Sequence, residues 1–430
     1  MSEKRIKVDY LARVEGEGAL DIQVSGGRVT DLKLQIFEPP RFFEAFLVGR
    51  SYLEVGDITS RICGICPVAY QVSAANAVED AFRLKVDGAL RQLRRLIYLG
   101  EYVESHVLHI YFLAAPDFLG YESAISMAQD HPEAVQRALR MKRLGNDLMA
   151  AVGGREVHPV ALRPGGFYKV PRREDLLPFV PRLVEGKQDA LKTLELAASL
   201  DLPDLTRDIE FVALSHPTEY AILDGRVVSS KGLNLSVQEY EEYFEEEHVS
   251  YSNALHSSIK GRGAYFVGPL ARVNLNFDRL SPDAQQAARS SGVPFPNSNP
   301  FTSIVARAVE LVHAMDEILA IIQGYQQPDT PFVEAAAVAG RGCGASEAPR
   351  GVLYHAYEFD DQGLIRSAKI VPPTSQNQRQ IEEDLREWVP RVIDLPQEEA
   401  TIRCEMAVRN YDPCISCATH FLKVNIRHSD

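Results

Sequence analysis

Cysteine is scarce in this sequence, which has 430 residues and only six cysteines. A disulfide scaffold needs a much higher density of cysteine, so the composition argues against one. Apolar residues make up 45% of the chain, a proportion that is normal for a globular protein with a sizeable core. The length allows one large domain or two to three ordinary ones.

The sequence also lacks an excess of basic residues, with 46 Lys and Arg against 59 Asp and Glu and a formal net charge of −13. Nucleic acids and anionic membranes attract basic surfaces, so neither is expected as the main partner. No apolar run is long enough to span a bilayer, and the first ten residues, MSEKRIKVDY, lack the core of a signal peptide. That lack does not settle the location, because a chain can be exported bound to a partner.

Four of the six cysteines form two Cys-x-x-Cys pairs. Cys63 and Cys66 lie in RICGIC (residues 61–66), whereas Cys414 and Cys417 lie in DPCISCATH (residues 412–420). Each pair brings two sulfurs within chelating reach if the chain turns into a helix after the first cysteine. Four thiolates suit zinc, an iron–sulfur cluster, copper(I) or nickel. The pairs can share one metal only if the fold brings both ends of the chain together.

A structural zinc site is the simplest alternative for paired motifs. The pairs of such sites usually lie roughly 15–20 residues apart, whereas about 350 residues separate these two. A thioredoxin-like redox role for one pair leaves the other pair unexplained. A complete iron–sulfur cluster remains open, but it leaves Arg61, Asp412 and His420 without a role.

Hydrophobic periodicity predicts one largely helical α+β unit over residues 1–430. Alternating residues indicate an N-terminal β hairpin, with strands over 19–24 and 29–36 around the turn SGG. Helices are predicted over residues 41–48, 68–82, 90–113, 132–151, 175–200, 301–325 and 398–409, with another through Trp388. Shorter strands are predicted over 208–214, 221–229, 264–276, 352–358 and 364–371. No linker or repeat divides the chain, so both ends are expected to contribute to one core.

Several polar side chains have two interpretations on sequence alone. Glu15 and Glu17 lie in an acidic, glycine-rich turn, where solvated carboxylates are the default. Glu44 lies among apolar residues of a predicted helix, so it needs a partner, a metal ion or a shifted pKa unless it lies on the polar flank. His106 and His109 share a helix face, and core histidines are the safer interpretation.

The glycine-rich segment GRGCGASEAPRG (residues 340–351) invites comparison with a phosphate-binding loop. It matches neither G-x-G-x-x-G nor a Walker loop, which needs a Lys followed by Ser or Thr. We therefore predict no nucleotide site in this segment. The chain also lacks a dinucleotide-binding fingerprint elsewhere.

Together, these motifs resemble those of the large, catalytic subunit of nickel–iron hydrogenases. The resemblance covers nearly the whole chain and rests on RVEG (13–16), RICGIC (61–66), EAPRG (347–351) and DPCISCATH (412–420). The two cysteine motifs are its most specific part. In detail the chain is similar to the cytoplasmic, multimeric subgroup that couples hydrogen to NADP or NAD through separate flavin subunits.

The resemblance implies a centre of nickel and iron that cleaves dihydrogen heterolytically and reversibly to protons and electrons. Cys63 and Cys414 would be terminal ligands of nickel. Cys66 and Cys417 would bridge nickel to an iron that carries carbon monoxide and cyanide.

The resemblance also implies roles for three polar residues. Glu15 matches the glutamate that takes the proton from a terminal cysteine. Arg350 matches the arginine over the open coordination site, where it could polarise dihydrogen or act as a general base, although its high pKa makes the second role difficult. Asp412 would pair with Arg350 and hold it in place.

A second, structural metal ion, usually magnesium, is implied as well. Its ligands would be Glu44, His420 and the backbone carbonyl near Lys369. In many relatives a nickel-dependent endopeptidase cuts after the histidine that matches His420. We therefore predict that segment 421–430 is removed in the mature enzyme.

The chain departs from the family at some positions near the implied cofactor. Ser105 stands where an aspartate is frequent, and Tyr70 stands where a histidine is common. Pro373 replaces a serine that hydrogen-bonds cyanide, which leaves Thr374 as the donor. Pro349 would border the cofactor together with these two residues.

Electrons must leave through a partner, because this chain lacks cysteines for further clusters. The resemblance implies an iron–sulfur small subunit and flavin or NAD(P) reductase subunits, in the cytoplasm. Three alternatives stand beside this reading. They are a hydrogen sensor that keeps the metals, the quinone-site subunit of respiratory complex I, which has lost the cysteines kept here, and a structural zinc protein.

Overall fold

The computed structural model describes residues 3–419. His420 and the segment 421–430, for which we predicted a metal ligand and a removable tail, lie outside the described residues. None of the helices within residues 3–419 is long and apolar enough to cross a membrane.

The first three strands form an antiparallel sheet in the order β1-β2-β3. They are β1 (Glu3–Val8), β2 (Gly18–Ser25) and β3 (Arg28–Ile36). Alternate side chains of β2, such as Leu20 and Ile22, are buried because the strand repeat turns every second residue to the core. Gly26 (φ 58°) and Gly27 (φ 75°) supply the left-handed backbone of the turn. The predicted hairpin is confirmed.

Helices make up most of the remaining structure. In chain order they are α1 (Phe43–Leu47), α2 (Val55–Ser60), α3 (Pro67–Phe82), α4 (Gly88–Val107), α5 (Ala115–Leu119), α6 (Ala124–Asp130), α7 (Pro132–Gly153), α8 (Arg173–Leu176), α9 (Phe179–Ser199), α10 (Tyr240–Tyr243), α11 (Pro269–Asn276), α12 (Pro282–Ser290), α13 (Ser303–Gly324), α14 (Pro373–Val392), α15 (Gln397–Arg409) and α16 (Ile415–Ala418). A π-helical segment, Leu108–Ala114, joins α4 to α5 and interrupts the single helix predicted over 90–113.

The long helices α4, α7, α9 and α13 pack on one another and form much of the main core. Helix α13 is buried along most of its length because it is apolar on nearly all sides. Its charged residues Arg307 and Glu310 are buried as well. The main core also contains the four paired cysteines.

The remaining strands form small antiparallel sheets, β4-β5, β6-β7-β8, β9-β10 and β11-β12-β13. They are β4 (Leu162–Arg163), β5 (Gly166–Phe167), β6 (Val212–Ser215), β7 (Arg226–Ser229), β8 (Asn234–Leu235), β9 (Phe244–His248), β10 (Leu255–Ile259), β11 (Gly340–Ala348), β12 (Gly351–Phe359) and β13 (Ile365–Val371). The predicted α+β class, mostly helical with smaller β elements, is confirmed.

The glycine-rich segment is strand β11, and its glycines permit close packing against α3. A Cβ atom on Gly342 would lie 2.0 Å from the carbonyl oxygen of Ala77, and one on Gly344 would lie 2.4 Å from the Ala77 amide nitrogen. Any side chain would therefore force the two elements apart. Helix α3 begins directly after Cys66, and β11 ends just before Arg350. The glycines thus set the distance between the first cysteine pair and Arg350.

The strand predicted over residues 264–276 is wrong, because most of this segment is helix α11. Gly268 adopts φ 129°, and Pro269 begins the helix. Proline suits the first helical turn, where an amide hydrogen would have no intrahelical partner. The strands predicted over 208–214 and 221–229 are shorter than expected, since β6 and β7 begin at Val212 and Arg226.

Candidate metal centre

Residues that are far apart in the sequence lie side by side in the core. Glu15 forms an isolated parallel bridge with Cys414. The Arg41 guanidinium donates from Nη2 to the Ile62 carbonyl oxygen at 2.7 Å and also to the Ser416 carbonyl oxygen. A single arginine therefore holds together the two segments that carry the cysteine pairs.

The four sulfur atoms of these pairs form one cluster. Cys63 Sγ lies 3.5 Å from Cys414 Sγ, and Cys414 Sγ lies 2.6 Å from Cys417 Sγ. The sulfurs of Cys63, Cys66 and Cys417 all lie within 4.8 Å of one another. Each of the four residues is at most 6% exposed. The fold thus brings both pairs to one water-poor site.

The pKa shifts of these thiols indicate that all four can ionise together only beside a bound cation. Burial raises the pKa of Cys414 and of Cys417, whereas hydrogen bonding from Cys414 lowers the pKa of Cys63. The four thiols cannot all ionise in this buried site without a cation, because each thiolate disfavours the next one. Four soft sulfur donors at this separation fit metals that bind thiolates, among them nickel, iron and zinc.

Glu15 reaches this cluster, although its sequence context favoured a solvated turn. Its Oε2 lies 3.1 Å from Cys414 Sγ and accepts a hydrogen bond from the Ser416 amide at 3.1 Å. The Ser416 hydroxyl donates to the other carboxylate oxygen. Glu17, two residues on, is exposed. The structure therefore separates two glutamates that their composition and turn context could not distinguish, although the family resemblance had singled out Glu15.

Arg350 and Asp412 form a buried ion pair, with each side chain 2% exposed. The guanidinium donates from Nε to the Asp412 carbonyl oxygen at 2.7 Å and from Nη2 to Oδ1 at 3.1 Å. Burial opposes both charges, but Asp412 raises the pKa of Arg350 and Arg350 lowers the pKa of Asp412. Among the described residues, Arg350 Nη1 has no hydrogen-bond partner. This buried donor is available to a bound group.

Two of the positions that depart from the family, Tyr70 and Ser105, are buried. Burial raises the pKa of Tyr70, and the sulfurs of Cys417 and Cys66 raise it further, so the phenol stays protonated. The Tyr70 ring packs against His355, with 5.7 Å between the ring centroids. The Ser105 hydroxyl is buried and has no hydrogen-bond partner within residues 3–419.

The three residues expected to border a cofactor differ in what they contact. Thr374 Oγ1 accepts a hydrogen bond from the Cys414 amide at 2.9 Å. Pro373 precedes it as the first residue of α14. The Pro349 carbonyl oxygen accepts a hydrogen bond from Arg272 Nη2 at 2.9 Å. Thr374 therefore contacts the second cysteine pair directly.

Glu101 supports the site but carried no recognisable signal in the sequence. Its carboxylate accepts hydrogen bonds from the amides of Val68 at 2.6 Å and Ala69 at 3.1 Å. These amides belong to the first turn of α3, where they lack intrahelical partners. Because α3 starts directly after Cys66, Glu101 helps to fix the first cysteine pair, although it lies 33 residues from Val68 in the sequence.

A second polar cluster lies around Glu44. Its Oε1 accepts a hydrogen bond from the Ile370 amide at 2.7 Å, which places the carboxylate beside the backbone at Lys369. Burial raises the pKa of Glu44 to about 7 and that of Glu246 to about 8. Lys369 Nζ lies 3.9 Å from Glu246 Oε2. Glu246 is a further carboxylate that sequence reasoning missed.

His106 and His109 are core residues, as predicted. His106 Nε2 lies 2.7 Å from Glu310 Oε2, and His109 Nε2 lies 2.8 Å from the Arg409 carbonyl oxygen. Burial lowers the pKa of His109 to about 3, so its ring is neutral. Neither histidine takes part in the sulfur cluster.

Comparison with known proteins identifies the class. The profile of the nickel-dependent hydrogenase family matches residues 41–137 and 224–420, which is more than half of the chain. The chain therefore belongs to this family.

Individual relatives match over nearly the full length. The alpha subunit of sulfhydrogenase 2 from Pyrococcus furiosus is 34% identical over 425 residues, which cover 97% of this chain and 100% of that protein. The beta subunit of the NAD-reducing hydrogenase HoxS from Cupriavidus necator is 27% identical, covering 97% of this chain and 95% of its own. A crystal structure of an NAD+-reducing nickel–iron hydrogenase in the H2-reduced state superposes with a TM-score of 0.87 and 26% identity, over 97% of this chain and 99% of that one.

The chain is the catalytic large subunit of a nickel–iron hydrogenase, an oxidoreductase that acts on hydrogen. Large subunits of this family pair with small subunits. Nickel and iron are therefore the metals that the family supports for the sulfur cluster.

Proposed function

We propose that this subunit cleaves dihydrogen heterolytically and reversibly at a nickel–iron pair held by its four clustered cysteines. The four cysteines would hold both metals: by the family resemblance, Cys63 and Cys414 would be ligands of nickel only, and Cys66 and Cys417 would be ligands shared by nickel and iron. The observation that carries this proposal is the buried convergence of four sulfurs, with 3.5 Å between Cys63 Sγ and Cys414 Sγ. When bound, the metals supply a Lewis-acidic, redox-active site on which dihydrogen is polarised.

Glu15 takes the proton that cleavage releases. Its carboxylate lies within hydrogen-bond distance of Cys414 Sγ, so a proton can move from that sulfur to Oε2 without rearrangement of the chain. The Ser416 amide and hydroxyl both donate to the same carboxylate and keep it aimed at the sulfur. Glu15 is also half-buried, so it can pass the proton toward solvent.

Arg350 acts as a fixed cation over the site, and Asp412 orients it. The ion pair raises the pKa of Arg350 above its ordinary value, which disfavours a role as general base. Because Nη1 has no partner among residues 3–419, it can donate to a group bound at the sulfurs. A fixed charge in a buried site polarises a bound molecule more strongly than the same charge in water.

We propose that the iron carries carbon monoxide and cyanide, bordered by Pro349, Pro373 and Thr374. Thr374 Oγ1 accepts from the Cys414 amide, and its hydroxyl hydrogen donates to no acceptor within the described part of the chain. A hydroxyl can accept and donate at once, so this hydrogen remains available to a cyanide nitrogen. The two prolines provide apolar walls that exclude water.

We also propose a structural divalent cation, with magnesium as the preferred ion, at Glu44. Hard oxygen ligands suit magnesium, and Glu44 and the backbone carbonyl at Lys369 would supply two of them. The family resemblance implies that His420, which lies outside the described residues, would add a nitrogen ligand. The raised pKa of Glu44 supports this role, because a buried carboxylate without a cation tends to keep its proton.

Electrons leave through an iron–sulfur small subunit and pass to NAD(P) on a flavin-containing partner in the cytoplasm. Four of the six cysteines belong to the sulfur cluster, and Cys343 and Cys404 cannot supply a second cluster. The likeness to an NAD+-reducing enzyme supports NAD(P) as the acceptor. We further propose that an endopeptidase removes segment 421–430 after metal insertion, and intact-mass measurement of the active subunit tests this step.

Metal content and infrared spectroscopy of the purified complex test the proposed centre. We expect nickel and iron near stoichiometry and infrared bands from carbon monoxide and cyanide, whereas zinc alone would overturn the proposal. Cys417→Ser should abolish hydrogen-dependent dye reduction. Cys404→Ser is the matched control, because Cys404 is fully buried but lies outside the sulfur cluster.

A hydrogen sensor is the second candidate, because it would use the same metals but signal through protein contacts. Steady hydrogen-dependent reduction of NAD(P) by the complex supports the enzyme. Slow turnover with a hydrogen-dependent change in partner binding supports the sensor.

A further inference from the structure

We infer that Arg272 is a positioning residue for Arg350, acting through the backbone carbonyl oxygens that directly precede it. The inference rests on the proposed function of Arg350. Arg272 lies on α11, and it is fully buried. Its role is not visible in the sequence, because no motif surrounds it and its partners lie 38 to 77 residues further along the chain.

Every N–H donor of the Arg272 guanidinium forms a hydrogen bond, and the acceptors lie on two segments of the chain. Nη1 donates to the Ala348 carbonyl oxygen at 2.8 Å, and Nη2 donates to the Pro349 carbonyl oxygen at 2.9 Å. These are the last two residues before Arg350. An arginine has five N–H donors in a rigid plane, so this grip fixes the orientation of both peptide groups.

Two glutamates hold Arg272 in turn. Glu310 on α13 accepts from Nε at 2.6 Å and from Nη2 at 2.8 Å. Glu347, the first residue of the EAPRG motif, accepts from Nη1 at 3.1 Å and from the Leu214 amide at 2.6 Å. The conformation of the segment before Arg350 is thus tied to the central helices. Glu347 therefore has a role in this arrangement, whereas the proposed metal centre assigns it none.

The arrangement is rigid because all its parts are buried. Glu310 and Glu347 have no exposed side-chain surface, like Arg272 itself. The Arg272 guanidinium also lies over the Tyr102 ring, 5.0 Å from its centroid. Lysine cannot replace this guanidinium, because one ammonium group cannot reach two carbonyl oxygens and Glu310 in the same geometry.

A double-mutant cycle in the purified complex tests the inference. We expect Arg272→Lys to lower hydrogen-dependent dye reduction about 100-fold, as a misplaced charge at a reacting centre does, with unchanged infrared bands of the metal centre. Arg350→Lys should lower activity at least as much. The double variant should then match Arg350→Lys within about twofold, because Arg272 acts only through Arg350.

Arg94→Lys is the matched control, since Arg94 is also buried but pairs with Glu79 and the Arg163 carbonyl oxygen. It should keep its activity. If Arg272→Lys loses the infrared bands, Glu347→Gln carries the test, with an expected loss of about tenfold and intact bands.

The outcomes distinguish a failure of the proposed role of Arg350 from a failure of the inference about Arg272. Full activity in Arg350→Lys would overturn the proposed role of Arg350 and this inference with it. An inactive Arg350→Lys beside a fully active Arg272→Lys or, where that variant does not assemble, a fully active Glu347→Gln would overturn the inference alone. Additive losses in the double variant would also overturn it, because they would show that Arg272 acts elsewhere.

Discussion

Arg350 holds Asp412 at two points, the backbone carbonyl oxygen at 2.7 Å and Oδ1 at 3.1 Å. Asp412 adopts φ 52°, a left-handed conformation that aspartate and asparagine tolerate better than most residues. The turn into the second cysteine pair and the position of the Arg350 guanidinium are therefore both set by Asp412.

Asp412→Asn separates these two contributions, because asparagine keeps the turn and removes the charge. We expect activity to fall by tenfold or more, since the hydrogen bond from Arg350 would lose its charged acceptor (about 1.5–3 kcal/mol). The infrared bands of the centre should persist. Asp189→Asn is the control, because Asp189 is also buried and paired with an arginine, Arg140, away from the site. Unchanged activity in Asp412→Asn would contradict the proposed role.

Glu15→Gln should lower hydrogen turnover by about 10²–10⁴-fold, the range that a lost general acid or base produces. Glutamine can still accept from Ser416, so the local structure should hold. Hydrogen-dependent dye reduction measures the loss, and metal analysis checks that the centre has assembled. Glu17→Gln alters an exposed glutamate in the same turn and should leave turnover intact. Equal effects of the two substitutions would rule out Glu15 as the proton acceptor.

Glu44→Gln tests the divalent cation. In the parent complex we expect chelation to lower the melting temperature by a few degrees, because a bound ion stabilises only the folded state. The variant should melt at one temperature with or without chelator. Glu54→Gln, at a half-exposed glutamate, should behave like the parent. A parent complex that is insensitive to chelation would argue against the cation.

The lowered pKa of His256 predicts how the stability of the fold responds to acid. Burial lowers the pKa of His256 to about 4, from an ordinary value of about 6.5. Between these values the unfolded chain binds a proton that the folded chain does not, so stability falls as the pH falls through this window. At pH 5 the loss is about 2 kcal/mol for this residue.

His256→Asn should therefore narrow the difference in melting temperature between pH 7 and pH 5. Thermal unfolding followed by circular dichroism measures this difference. His131→Asn serves as a control, because His131 is only partly buried at the start of α7. If the pH 5 to pH 7 difference is the same in His256→Asn and the parent, His256 is not the source of the acid sensitivity.

The cysteine motifs could be found from the sequence because their chemistry depends on local spacing. The hairpin and the long helices could also be predicted, since residue periodicity determines which face is buried. The segment 264–276 was predicted wrongly because residues 272–276 (RVNLN) alternate polar and apolar like a strand, whereas Pro269 starts a helix. In this segment Pro269 indicated the structure better than the alternation of side chains did.

The residues that support the site could not be predicted, because their partners are remote. Arg41 reaches Ser416 across 375 residues, and Glu101 reaches the Val68 amide across 33. A lone arginine or glutamate has no local pattern that distinguishes such a role from a solvated one. The local pattern did not distinguish Glu15 from Glu17 either; the family motif singled out Glu15, and the packing places its carboxylate at the sulfurs.

The bridge between Glu15 and Cys414 has a consequence for the order of events during biosynthesis. The Ile415 amide donates to the Glu15 carbonyl oxygen at 2.9 Å, and the Glu15 and Cys414 side chains lie 399 residues apart in sequence. A ribosome releases the first cysteine pair long before the second one exists, and contacts of such long range form late in folding. The nascent chain therefore presents an open, two-sulfur half-site for most of its synthesis, and the pocket closes only when the segment around Cys414 docks beside Glu15.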